Sequence, residues 1–115
     1  MDERDSRRAK NESLFREVNE RVQEVTTGLR AVGYGEDDGL LIGFVCECGQ
    51  EGCTEQLEVT HVQYELIRND ARRFVVLPGH ENPDIERVVD RQQQYLVVEK
   101  VGKAAEMAIE RDPRS

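Results

Sequence analysis

The stretch Leu40–Cys53 reads "LLIGFVCECGQEGC", and its two halves ask for different things. Leu40 to Val45 is apolar apart from Gly43, the composition of a buried strand bounded by polar, glycine-rich sequence. The second half holds every cysteine of the chain, Cys46, Cys48 and Cys53. Cysteine packs well as a small hydrophobe, but "CECGQEGC" is polar and glycine-rich, poor material for a core. A strand running straight into such a cluster predicts a small sheet with a metal site at its margin.

Structural zinc takes four ligands in a tetrahedron, with thiolate and imidazole preferred. The C-x-C-x4-C spacing supplies three thiolates, and Gly49 and Gly52 let the backbone wrap tightly around one ion. It departs from the common C-x-x-C knuckle. The chain has two histidines to complete the set. His80 lies in "LPGHENPD", a turn directly after a predicted strand, with Pro78 and Gly79 setting the bend; it is the preferred fourth ligand. His61, at the start of a predicted helix eight residues past Cys53, is sterically possible but has a simpler role as a surface residue of a first turn. Glu81 or Asp84 could orient the other ring nitrogen of His80. The expectation is a closed Cys3His site holding structural Zn2+, whose binding adds to folding stability.

Other chemistries fit less well. A catalytic zinc keeps an open position and a nearby carboxylate, for which Glu47, Glu51 and Glu81 are the neighbours. The H-x-E…P-C-x-x-C and H-E-x-x-H signatures are both absent. CDGSH-type iron–sulfur proteins also open with C-x-C and use Cys3His ligation. Here the third cysteine comes only five residues on and no histidine closely follows it. A cysteine nucleophile needs a cationic setting, whereas Glu47, Glu51 and Glu55 make this one acidic. The glycine-rich "GYGEDDG" (Gly33–Gly39) would repel phosphate with its three acids. These observations point to a non-enzymatic protein that acts through contacts with a protein partner. The alternatives are a redox or metal sensor, using labile zinc or an iron–sulfur cluster, and then a catalytic-zinc enzyme.

A length of 115 residues fits one domain, here an α+β zinc-binding domain over residues 9–112, with a flexible N-terminus (1–8) and a short tail (113–115). Acids outnumber bases 24 to 16, giving a net charge of -8. That balance argues against nucleic acid or an anionic membrane as partner, and Arg7-Arg8 and Arg72-Arg73 read as solvated surface charge. No apolar run approaches the ~20 residues needed to cross a bilayer, and "MDERDSRRAK" has no signal-peptide core. A cytoplasmic setting that keeps the thiols reduced is the natural expectation.

Leu14, Val18, Val22, Val25 and Leu29 fall at 4-4-3-4 spacing, the stripe of a long amphipathic N-terminal helix. Asp5 or Ser6 would cap its start and Thr26-Thr27 weaken its end. The stripe is expected to cover the sheet, with pairing to a partner or a second copy, hence a homo-oligomer, as the other option. "QLEVT", "RRFVVLPGH", "DIERVVD" and "QYLVVEK" read as strands. Between them, "HVQYELIRND" reads as a short helix capped by Thr60 with Gln63, with Val62, Leu66 and either Tyr64 or Ile67 on its buried side. "GKAAEMAIERD" reads as a C-terminal helix. Short connections predict a mostly antiparallel sheet, with the metal site joining two loops.

The motifs "KNESLFREVNERV", "FVCECGQEGC", "FVVLPGHE" and "YLVVEKVGKAAEMA" together resemble a family of short, uncharacterised actinobacterial proteins, over roughly Arg7 to Arg114. The resemblance implies a bacterial cytoplasm. It also implies that Cys46, Cys48, Cys53 and His80 belong together; it implies no activity.

Overall fold

The computed structural model describes residues 3–31 and 40–114. The acidic "GYGEDDG" segment lies outside the described residues. In chain order the elements are α1 (Glu3–Ala31), β1 (Leu41–Val45), β2 (Gln56–Thr60), α2 (His61–Arg68), β3 (Arg73–Val76), β4 (Glu86–Arg91), β5 (Leu96–Lys100) and α3 (Gly102–Glu110). The class is α+β, as the alternation of apolar runs and helical stripes predicts.

The strands form two small antiparallel sheets, not one. β1 pairs with β2 from Leu41↔Thr60 to Val45↔Gln56. The second sheet has the order β3-β5-β4, with β5 central and buried along its whole length. A register shift between Val88 and Asp90 marks a bulge in β4. The core forms between the sheets, where Phe44 stacks on Tyr64 with ring centroids 4.3 Å apart, beside Val59, Phe74, Val75 and Val98. Backbone bonds also bind the sheets together, because the chain leaving β1 runs beside β3 and Glu47 N donates to Val75 O at 2.9 Å.

α2 starts with the expected capping box: Gln63 N donates to Thr60 Oγ1 and Thr60 N donates to Gln63 Oε1. Its buried residues are Tyr64, Ile67 and Arg68; of the expected side, Tyr64 and Ile67 face inward while Val62 and Leu66 are exposed. The apolar pattern of an eight-residue helix leaves its orientation open. Here the stacking of Tyr64 on Phe44 and the ion pairs of Arg68 with Glu20 and Asp112 set it.

α1 departs most from expectation. It begins at Glu3, so Asp5 and Ser6 lie within it, and it passes through Thr26-Thr27 to Ala31. The apolar stripe does not cover the sheet. Leu14, Val18, Val25 and Leu29 are each about half exposed or more, and only Val22 packs against the core. The buried residues are instead Glu12, Arg16, Asn19 and Gln23. The cause is what the body presents to the helix. The carbonyls of Ala71 and Ala108 accept from Arg16 Nη1 and Nη2 (2.7 and 2.9 Å), and Arg16 also lies 4.1 Å above the Phe74 ring. Asn19 bonds both polar backbone atoms of Val45. Gln23 donates to His61 O and Glu65, and Glu12 and Glu86 flank the buried Lys100 ammonium. Each inward side chain finds at least one fixed partner, although Arg16 Nε and Gln23 Oε1 stay buried without one among the described residues, and these bonds offset much of the desolvation cost that otherwise makes such a face unfavourable.

Candidate metal centre

The cluster is assembled from two connections, one between β1 and β2 and one between β3 and β4. Cys46 continues the β1–β2 ladder by one further bond, its N–H reaching Glu55 O at 2.9 Å. Gly49 (φ 71°) and Gly52 (φ 82°) then turn the chain in left-handed conformations that favour glycine. The bond from Cys53 N to Gln50 O, 3.1 Å, closes the bend. On the other side His80 N donates to Leu77 O at 3.0 Å across the Pro78-Gly79 turn.

These turns place Cys46, Cys48, Cys53 and His80 so that one donor atom from each lies within 4.8 Å of all the others. His80 Nδ1 is 3.6 Å from Cys46 Sγ and 3.7 Å from Cys53 Sγ. For bonds of ~2.0–2.3 Å to a tetrahedral zinc, adjacent donors lie roughly 3.5–3.8 Å apart, so both distances match the edges of such a tetrahedron. Each sulfur is also met by a backbone amide: Leu77 N at 3.3 Å from Cys46 Sγ, Gln50 N at Cys48 and Glu55 N at Cys53. Amides aimed at sulfur favour the thiolate, the form that binds metal.

The electrostatics are those of thiols sharing protons. The hydrogen bond from Cys46 pulls the Cys48 thiol down to about 4, and the same bond, with burial, pushes Cys46 well above its ordinary value. Burial raises Cys53. The four donors fit a single soft or borderline divalent ion.

The outer partner of His80 is Glu55, whose Oε2 lies 3.2 Å from Nε2. Neither Glu81 nor Asp84 takes that part: Glu81 accepts from Gly79 N at 2.7 Å, and the Asp84 amide donates to Asn82. Glu55 could have been found from its place two residues after Cys53, where a strand begins and side chains alternate in direction. His61 sits apart, in the first turn of α2, its carbonyl accepting from Gln23.

Glu47, between the first two cysteines, faces the opposite way. Its side chain is fully buried and accepts from Asn19 Nδ2 and Tyr64 Oη, both at 2.8 Å, and from Val75 N at 3.0 Å. Burial raises its pKa against those three donors. Held there, it cannot serve the cluster as a base. Glu51 is exposed at the tip of the turn. The paired Arg72 and Arg73 are engaged with Asp70 and Glu99.

No protein-family model, curated protein or solved structure matches the chain. None of the described helices is long and apolar enough to cross a membrane.

Proposed function

We propose that this chain is a zinc protein in which Cys46, Cys48, Cys53 and His80 hold one Zn2+ as a structural staple, and that the stapled domain works by contact with a protein partner. The observation that carries the reading is the donor geometry, four side chains within 4.8 Å of one another with imidazole–thiol edges of 3.6 and 3.7 Å. Separations this short suit one ion. A two-iron cluster divides its ligands between two metals and spreads them further apart, which supports zinc over iron–sulfur. Four protein donors leave no open position for a substrate water, and the nearest carboxylate in sequence is locked on the far side of the strand. Both facts support a structural role over a catalytic one.

Elemental analysis of the purified protein tests the assignment. A single equivalent of zinc is expected in the wild type, lost in Cys48→Ser, strongly reduced in His80→Ala and unchanged in His61→Ala. The protein is expected to be colourless; a brown solution with visible absorbance would establish iron in place of zinc. Full zinc retention in His80→Ala would remove that residue from the site, and a wild type that folds without any metal would sink the reading.

A further inference from the structure

The outward face of α1 is the largest feature that the metal centre leaves unexplained. Leu14, Val18, Val25 and Leu29 are 47–63% exposed in one continuous row. Glu17 and Arg21 border the row, and neither is in an ion pair among the described residues. At about 100° per residue, the row occupies about 60° of the helix, and the buried polar residues lie about 140° away from its centre. An exposed apolar row of this length marks an interaction surface.

We infer that the occupant of this face is α1 of a second copy of the chain, packed antiparallel about a two-fold axis near the level of Asn19. The charged border decides the direction. Glu17 and Arg21 lie on the same flank of the row, and antiparallel pairing brings each flank against its own counterpart. An axis at Asn19 sets Glu17 level with Arg21 of the second copy, and the symmetry makes that pair twice. The same axis brings Leu14 within about one residue rise (~1.5 Å) of the level of Val25 in the second copy, and it places Val18 among Val18 and Val22 across the axis. Parallel pairing would set the charged flank against the Phe15 and Thr26 side, where neither charge finds a partner. The contact is isologous, so one patch serves both copies and the assembly closes as a dimer. A single helix face is small beside a standard interface of about 800 Å² per partner, so the dimer is concentration-dependent. The loop of the thiol cluster touches the same helix through Asn11 and Glu12.

Sedimentation equilibrium of the zinc-loaded full chain over a range of concentrations tests this. A monomer–dimer equilibrium is expected. Val18→Glu, at an exposed site that leaves the core untouched, is expected to raise the dimer Kd more than ~10-fold, the effect of roughly 1.4 kcal/mol. Glu17→Arg and Arg21→Glu alone are each expected to weaken the dimer, and the double exchange to restore it. A monomer at every concentration would overturn the proposal. So would a dimer that ignores Val18→Glu, or single charge changes that the double exchange does not repair. A monomer whose thermal stability falls in Val18→Glu would show the row to be covered within its own chain, also against the proposal. Zinc content measured on the same samples is expected to stay unchanged, so failure here is distinguishable from failure of the metal centre.

Discussion

Glu12 shows how a residue can be both buried and conditionally charged. Burial pushes its carboxyl up to about 7, against the pull of the Lys100 ammonium beside it. The folded protein therefore holds a proton that the unfolded chain, with a carboxyl near 4.5, has already released. Stability from this group is fully present below about pH 4.5 and is lost as pH rises through about 7, by about 3 kcal/mol over the window. Urea midpoints of wild type and Glu12→Gln across that range check it. The difference between the two proteins should move against wild type as pH rises and level off above 7, and subtraction removes the contribution of the thiols, which both share. Glu47 carries the complementary lesson. Its position between two cysteines is plain in the sequence, and in an extended segment alternation already sends it away from the thiols. What it meets there, Asn19, Tyr64 and the Val75 amide, comes from three other parts of the chain, and no local pattern names them.

At the scale of elements, the four downstream strands and the cap of α2 were legible because their signals are local: alternation, glycine-rich bounds and a Thr-x-x-Gln box. The apolar row of α1 was equally legible, but its direction was not. A stripe shows that a helix has an apolar face, and ordinarily that face is the buried one; here the body offers carbonyls, an ammonium and a carboxylate, and the polar face docks. The meeting of α1 with the cysteine turn is tight. A Cβ built on Gly49 would lie 2.4 Å from Glu12 Cγ and 2.8 Å from the Arg8 carbonyl, whereas one on Gly52 meets nothing within 4 Å. Both glycines have positive φ, so Gly52→Ala is expected to cost only the backbone strain of roughly 1–2 kcal/mol. Gly49→Ala should cost distinctly more and, in hydrogen exchange, should deprotect the amides of α1 around Glu12 first. Equal losses in the two variants would mean that the contact with α1 contributes nothing.

Across the whole molecule, the four-donor cluster joins connections that lie in different sheets, and the separation of Cys46 from His80 is 34 residues. That such a distant histidine completes the group was inferable from its turn, Pro-Gly-His after a strand; the split into two sheets was not, because strand order depends on pairings that leave no trace in any one segment. Metal held only by the folded chain adds its binding energy to stability. A strong chelator is therefore expected to lower the thermal midpoint on the order of 10–20 °C, corresponding to a loss of several kcal/mol in a domain of this size, and added zinc should restore it. An unchanged midpoint would leave the staple without a mechanical role.

The polar docking of α1 also governs where the helix can sit. Apolar contacts tolerate sliding, since one methyl replaces another as a helix shifts. The Arg16 guanidinium on its two carbonyls and the Asn19 amide on Val45 do not, because a hydrogen bond is lost within a fraction of an ångström. Advancing or rotating α1 by one residue would strand all of these groups at once without water. The helix therefore has one seated position and no neighbouring ones, and its inner residues, which never meet solvent, fix the direction in which its outer face points.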